Sequence, residues 1–496
     1  TDTHAWGMTS TQSDIEDLFI EKLSPDEPDR YLTPYGSERF SVREETIKVK
    51  GGDDVKLTVR STRHGPVISD LRPRSKGLVE DGFVVALSAT YLKKGDRTAD
   101  AFYDLVRAEK WTTFTAALRL FRAPQQNFFF ADANGTIGFI AAGWVPIRGR
   151  GQGFVPTKGW TGKTEWRDVV GLDALPQRAG KDVRRLVNAN NPVTGADYPY
   201  FLGFDWAPPY RAARIRALLN EGKGRTIEDA TVMQRDLFSG MARDLLPLMI
   251  RAKPASVAGQ RAIALLRNWD GVMASERAEP LIFNAWLLTL NRALYGDELG
   301  TQLGGYLGGR PITVKSMLTQ RQAWCDNVKT DRVESCEMIL AQSIDTAVAA
   351  LVDSHGADVD GWRWDQAHVA HFPHPLLTHV PVLRGIANLS VPTGGGDATI
   401  NRGAMRLGAE RDPFRHVHGP GYRAIYNLMD PRGSRFMIAT GQSGNPLSVK
   451  YRNFLEPWAS GQYICLGLPL AALRAQAVST QRLTPAAAEG KFNLEN

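Results

Sequence analysis

With 496 residues, 43% of them hydrophobic and 23% charged, the chain can bury a large core and has the balance of a soluble globular protein. Lys and Arg number 60 against 53 Asp and Glu, a formal charge of +7, but the basic residues are scattered and form no run of the kind that grips nucleic acid. No stretch approaches the roughly 20 apolar residues of a membrane span; the longest, around Pro280 to Leu290, contains Asn284 and suits a buried helix.

The opening TDTHAWGMTSTQSD reads as a polar loop with no alternating pattern. SDIEDLF then carries the marks of a capped helix start, with acidic residues where a helix dipole favours them. The same carboxylates, Asp14, Glu16 and Asp17, are hard oxygen ligands of the kind that suits calcium. TIKVK (46–50) and VKLTVR (55–60) alternate around GGDD and predict a hairpin. FVVALSA (83–89) is a continuous apolar run suited to a strand buried on both faces. Thr98 to Phe121 has helical spacing and is expected to pack across the sheet. QNFFFADANGTIGFIAAG predicts a hairpin that turns at Asn134-Gly135.

Residues 146–180, rich in Gly, Pro, Arg and Lys, read as an ordered surface loop region. From about Tyr210 to Ala350 the apolar period becomes helical, as in RAARIRALLNE and AIALLRNWDG. Strands return from about Val380, SRFMIAT (434–440) being the clearest, and the tail after Leu473 reads as a helix fraying into a mobile end. The expectation is one α+β body: a sheet-rich part over 1–205, a mainly helical insertion over 206–355, and a return to the body over 356–496.

Cys325 and Cys336 flank the polar DNVKTDRVES and are expected to form a bridge across a turn, whereas Cys465, in YICLGL, reads as a buried small hydrophobe. His368, His371 and His374 are spaced by three, but Pro373 and Pro375 break the helix that a zinc site would need, and no Cys or carboxylate completes the set. Ser443 and Ser448 lack the strand–turn–helix context of a nucleophile elbow. Asn190-Asn191 lies in a turn-rich loop just before PPYRAARI. Such an amide either satisfies its own turn or donates an N–H to an oxyanion, and Arg211 adds a permanently charged fork.

HAWG with DLFIEKL, then the ANN loop with PYRAARI, then the closing GQSGNP run, stand in the order in which they occur in the penicillin acylase family of N-terminal-nucleophile hydrolases, which the chain resembles nearly throughout. The resemblance implies an αββα sandwich, autocatalytic release of an N-terminal serine from a precursor, a smaller α chain from the same precursor, and a periplasmic or secreted location. It implies hydrolysis of an N-acylated small molecule: a penicillin, an acyl-homoserine lactone or a lipopeptide. The chain's own α-amino group would act as base, since its pKa near 8 suits proton transfer at neutral pH.

By position, the backbone N–H of Ser10 and the side chain of Asn190 correspond to the oxyanion donors, and Arg211 to an arginine that orients the centre. A structural calcium would use Asp14 and Asp17, the backbone carbonyl at Glu16, and a further aspartate for which neither Asp197 nor Asp205 aligns cleanly. HAWG lies well inside the family's catalytic chain, so the nucleophile is expected upstream of Thr1, and Thr1 itself leads no strand. The chain alone is expected to be inactive; the alternative is a non-catalytic acyl-amide binder that has lost its nucleophile. The family's acyl pocket is apolar, and Phe128, Phe129, Phe130 or Trp144 are candidates for it or for plain core.

Overall fold

The computed structural model describes residues 3–71, 79–222, 224, 226–467 and 469–482, so Thr1 and the end of the tail lie outside the described residues. The first part is built from β1 (His4–Ser10), β2 (Glu16–Lys22), β3 (Arg30–Thr33), β4 (Gly36–Arg39), β5 (Ser41–Ile47), β6 (Val55–Ser61) and β7 (Phe83–Ala89). Helices α1 (Thr98–Leu105) and α2 (Trp111–Leu118) follow, then β8 (Gln126–Asp132), β9 (Ile137–Ala142), β10 (Pro146–Arg148), β11 (Thr157–Lys158), β12 (Trp166–Val169) and β13 (Gln177–Gly180). Helices dominate next: α3 (Tyr210–Asn220), α4 (Ile227–Gln234), α5 (Gly240–Met249), α6 (Val257–Arg267), α7 (Glu279–Leu299), α8 (Pro311–Thr319) and α9 (Cys336–His355). The chain closes with β14 (Val369–Phe372), α10 (Pro381–Ala387), β15 (Leu389–Pro392), β16 (Tyr422–Ile425), β17 (Arg435–Ile438), α11 (Leu455–Ala459), β18 (Ile464–Cys465) and α12 (Leu470–Gln476).

The opening segment, expected as a loop, is strand β1. It runs antiparallel to β8, with Trp6 opposite Phe130 and Met8 opposite Phe128. Its own residues carry no alternation; the ladder offered by the Phe-rich β8 decides its state. SDIEDLF likewise enters a strand, not a helix, and β2 pairs with β7 from Glu16↔Ala89 to Lys22↔Phe83. Period-two geometry then turns Asp17, Phe19 and Glu21 inward and Glu16 outward.

The expected hairpins at 46–60 and 126–142 are both present, as β5–β6 and β8–β9. Gly135 takes the left-handed conformation (φ 86°) that the tight turn between β8 and β9 demands. Residues 146–180, read as surface loop, are stitched by four short strands: β10 pairs with β12, β11 with β2, and β13 with β9.

The main sheet has the order β1-β8-β9-β13, which leaves β1 at its edge. Helices α1 and α2 cover one face of it, burying Leu105, Phe114 and Leu118 against Phe128, Phe130 and Ile140. The helical part has its own core around α7 and α9, where Trp286, Leu290 and Leu294 meet Ile344 and Val348. That core does not stop at residue 355, for it takes in Trp362, Trp364, Ala398 and Leu407. Cys325 and Cys336 are bridged, as expected. Cys465 is a free, exposed thiol, because β18 is a two-residue strand at the rim and not the buried run its neighbours suggested.

A buried ionic cluster ties β2 to the loops above it. The His64 ring lies flat on Phe19, 3.7 Å between centroids. Its Nδ1 meets Glu21 Oε1 at 2.6 Å and its Nε2 meets Glu165 Oε2 at 2.9 Å, while Arg63 Nη2 holds Glu165 at 2.7 Å. Gly159 is required beside Glu21, since a Cβ there would lie 2.1 Å from Oε2. Burial opposes the imidazolium, but the carboxylates of Glu165 and Glu21 outweigh it and raise the His64 pKa above 6.5. A raised native pKa gives stability that is complete below the unfolded value and lost as pH rises through the native one. His64→Ala is expected to cost about 3–5 kcal/mol, because Glu21 is left buried and unpaired. It is also expected to remove one histidine's share of the stability lost on raising the pH from about 6 to about 9. Urea unfolding of both proteins at the two pH values checks this.

Candidate active site

The chain leaves the end of β1 through Ser10, whose hydroxyl accepts the Gln12 N–H at 3.3 Å as Gln12 turns through a left-handed φ of 54°. The Ser10 hydroxyl thus joins the turn, while its carbonyl faces the Asn190 loop. Across from it stands Asn190, also left-handed (φ 66°), a conformation that Asn tolerates better than most residues. Asn188 fixes the loop between them. Its Oδ1 accepts from the Asn190 N–H at 2.8 Å and the Thr9 hydroxyl at 2.8 Å, and Asn127 Nδ2 approaches at 3.3 Å.

Arg211 sets which end of the Asn190 amide faces Ser10. It is the second residue of α3, and Pro208-Pro209 fix the approach to that helix. A guanidinium has only donors. Its Nη2 donates to Ala189 O at 2.8 Å and to Asn190 Oδ1 at 2.9 Å, so the amide oxygen is turned toward the arginine. The nitrogen must then point the other way, and Nδ2 donates one N–H to Ser10 O at 3.0 Å. A primary amide has two N–H groups, so a second donor is held beside the end of β1 with its orientation already decided.

Burial, with Arg402 nearby, lowers the Arg211 pKa to about 10, which still leaves it charged at neutral pH. The half-buried Asp397, its carboxyl pushed up by desolvation, partly offsets both guanidinium groups. Tyr210, Arg211, Met241, Leu307, Asp397 and Arg402 border an adjoining cavity of about 640 Å³.

The carboxylates of Asp14 and Asp17 flank one guanidinium, with Arg148 Nη2 3.4 Å from Asp14 Oδ1, while the Glu16 side chain stands apart from them. Glu16 turns outward and accepts from the Tyr91 hydroxyl at 2.8 Å. Asp17 turns inward, with Oδ2 held by Arg148 Nε at 2.8 Å and by the Trp166 indole N–H. Its Oδ1 is buried without a hydrogen-bond partner. Among the described residues no group of three His, Cys, Asp or Glu side chains is drawn together tightly enough to hold a metal. Asp205, which sequence alignment failed to place, lines a polar cavity of about 300 Å³ with Asp14 and Glu16. Burial pushes the Asp14 carboxyl up to about 6 despite Arg148.

The remaining candidates separate clearly. Phe128 and Phe130 are core under α1 and α2, while Phe129 faces the other side of the sheet and borders a cavity of about 570 Å³ with Ala5, Gly7 and Ile137. Trp144 stacks under Arg122, 3.9 Å from the ring centroid. His368 is buried between Trp364 and His416, and desolvation lowers its pKa to about 3, so it packs as a neutral ring. His371 is exposed on β14, and His374 Nε2 meets Gly444 O at 3.1 Å. Sequence reasoning missed Asn188 and Asn127. Asn188 was accessible through its Asx spacing to Asn190; Asn127 was not, since only the β1–β8 register brings it there.

A sheet carries helices on one face, and amide and arginine groups converge on the end of its edge strand, in an α+β arrangement. The thermostable penicillin G acylase from Alcaligenes faecalis shares that fold, with a TM-score of 0.73 and 19% identity over 98% of this chain and 89% of that one. A family model described as penicillin amidase matches residues 1–475, and the chain belongs to that family. It is 30% identical over 497 residues to the acyl-homoserine lactone acylase QuiP of Pseudomonas syringae pv. tomato (strain ATCC BAA-871 / DC3000), covering 94% of this chain and 58% of that protein. It is 28% identical over 493 residues to the penicillin acylase 2 proenzyme of Pseudomonas sp. (strain SE83), covering 97% of this chain and 61% of that protein. The chain thus spans about three fifths of the length of these relatives.

Replacing Arg211 by Leu removes both donors from the Asn190 loop. Hydrogen bonds to a charged group are worth about 1.5–3 kcal/mol, so the Ala189–Asn191 amides are expected to exchange at least about tenfold faster while the β8–β9 amides stay unchanged. Hydrogen exchange read by mass spectrometry checks this.

Proposed function

We propose that the protein hydrolyses the amide bond of an N-acylated small molecule, using an N-terminal serine carried upstream of these 496 residues and released from a precursor. The observation that carries the reading is the Asn190 amide, turned by Arg211 so that its nitrogen faces the end of β1. In this mechanism the serine hydroxyl attacks the acyl carbonyl carbon and its proton passes to the α-amino group of the same serine. The negative charge that develops on the carbonyl oxygen is met by an Asn190 N–H and the Ser10 backbone N–H, both fixed before the substrate arrives. Collapse expels the amine, which takes the proton, and water then releases the acid from the acyl-enzyme. β1, at the edge of its sheet, offers one free ladder along which a strand bearing the serine can pair. Family membership, together with relatives named as an acyl-homoserine lactone acylase and a penicillin acylase, supports an acyl amide as substrate.

The Cys325–Cys336 bridge supports an oxidising compartment, periplasmic or extracellular, and no helix of the described residues is long and apolar enough to cross a membrane. A smaller chain cut from the same precursor completes the fold in this reading. Calcium belongs to it too. Asp14, the unpartnered Asp17 Oδ1, the Glu16 carbonyl and Asp205 are the hard oxygen donors that would hold it, and it would offset the buried carboxylates while pinning the Asn190 loop to β2.

Intact mass and N-terminal sequencing of the protein from its own host are expected to give a catalytic chain that begins with Ser upstream of Thr1, plus a smaller chain. A mature chain that begins at Thr1 would sink the serine mechanism, and affinity for an acyl amide without single-turnover acylation would identify a binder. Asn190→Ala is expected to lower kcat about 100- to 1000-fold, the loss typical of one oxyanion donor, and to lower the melting temperature slightly, because Ala tolerates the left-handed φ of 66° less well than Asn. Adding calcium to the metal-free protein is expected to raise the Tm by about 3 °C or more, and Asp205→Asn to abolish that rise. An unmoved Tm in the wild type would remove calcium from the account.

A further inference from the structure

The β5–β6 ribbon stands apart from the rest of the fold. Its register pairs Val42 with Arg60, Glu44 with Thr58 and Thr46 with Lys56 on one face. The other face pairs Arg43 with Val59, Glu45 with Leu57 and Ile47 with Val55. The first face is built for water: the Thr58 hydroxyl donates to Glu44 Oε1 at 2.8 Å, and Lys48 pairs with Asp54 at 2.5 Å near the tip.

The second face carries an aliphatic stripe, Ile47, Val55, Leu57 and Val59, with Ile47 at 51% and Val55 at 49% exposure. None of the four belongs to any buried core of the described residues. Among the described residues the ribbon is fastened at its base, where Val67 N–H donates to Arg60 O at 2.9 Å and Arg60 lies over Phe40. A two-stranded ribbon without a third strand or a packed helix is marginal in water, so a seven-residue ladder with one apolar face calls for a cover.

We propose that the apolar face of the β5–β6 ribbon is a docking surface for the smaller chain cut from the same precursor. Four aliphatic side chains fall far short of the roughly 800 Å² per partner that a free-standing interface buries. The stripe therefore suits a partner already held elsewhere, and a second copy of this chain is disfavoured. The only charges on that face, Arg43 and Glu45, pair with each other at 2.6 Å, so it lacks the excess of cations that draws a protein to an anionic lipid surface. The relatives leave length for such an occupant, since the matched region is 58% of the acyl-homoserine lactone acylase and 61% of the proenzyme. The proposal rests on the two-chain reading above and specifies where one contact of that assembly lies.

The test places a photo-reactive benzoylphenylalanine at Leu57, or at Thr58 as its opposite-face control, in the complete precursor-derived enzyme, and reads the adducts by mass spectrometry. The Leu57 probe is expected to link to a peptide of the smaller chain of the same molecule, at least about ten times more efficiently than the Thr58 probe. Equal labelling from both faces, a link within residues 1–496 or to the catalytic chain upstream of them, a link to a second copy, or a lipid adduct would each overturn it. The readout is a mass and needs no turnover. An inactive wild type would thus refute the acylase reading and leave the cross-link interpretable, while absence of the expected adduct from an active two-chain enzyme would refute the docking surface alone.

Discussion

The candidate site depends on one asymmetry: a guanidinium can only donate. Because Arg211 has no acceptor, it can meet only the oxygen of the Asn190 side chain, and the nitrogen of that amide is committed to the end of β1. An amide is nearly symmetric in shape, and without such a partner either end could face the reaction. The arrangement has costs. Arg211 is desolvated enough to lower its pKa to about 10, and Asn190 is held at a φ of 66°. Strain and buried charge of this kind persist where surrounding bonds over-determine them, here through Asn188, Ala189 and the rigid start of α3. The orientation of the amide is thus set by the fold itself, the property that would make it effective as an oxyanion donor.

Buried ions recur wherever the sheets meet their loops. Arg148, with 4% of its side chain exposed, joins β10 to Asp14 and Asp17; His64 joins β2 to the residues around Glu165. Such groups contribute little net stability, because desolvation cancels much of their attraction, yet removing one partner strands the other. Their value is in position. Each fixes a segment that has too little apolar surface to fix itself, such as the Gly- and Arg-rich stretch 146–180. The helical part needs no such device, because Trp286, Leu290 and Ile344 lock α7 to α9 through packing, with the Trp286 indole donating to Ser343 Oγ at 2.9 Å.

Local pattern made much of the fold readable. The β8–β9 hairpin announced itself through Asn134-Gly135 between apolar runs, and the helices from α3 to α9 through their period. The failures share a cause, which is that partners distant in sequence overrode weak local signals. TDTHAWGMTST looks like a loop because β1 takes its strand character from β8, and SDIEDLF passes for a helix start because β7 is not visible from it. Cys465 was misplaced for the converse reason, an apolar run that the fold leaves at a rim. Within the site, Ser10, Asn190 and Arg211 were legible through resemblance. Their mutual geometry was not, and neither were Asn127, Asp205 and Asp397, which reach it only through register and long-range loop closure.

An edge strand is ordinarily defended by charge, proline or a bulge, since its free backbone groups invite pairing. β1 has none of these. His4 to Ser10 carry no charged residue that would blunt the edge, and glycine stands at position 7 with nothing within 4 Å of where a Cβ would be. The donors of Asn190 converge on this same undefended strand, at Ser10. One element laid along β1 would close the ladder and bring a side chain to the donors in a single step, so that folding and assembly of the site become the same event. A nucleophile delivered in that way is positioned by main-chain hydrogen bonds and not by its own rotamer. Positioning of that kind would need no imidazole among the described contacts of the site.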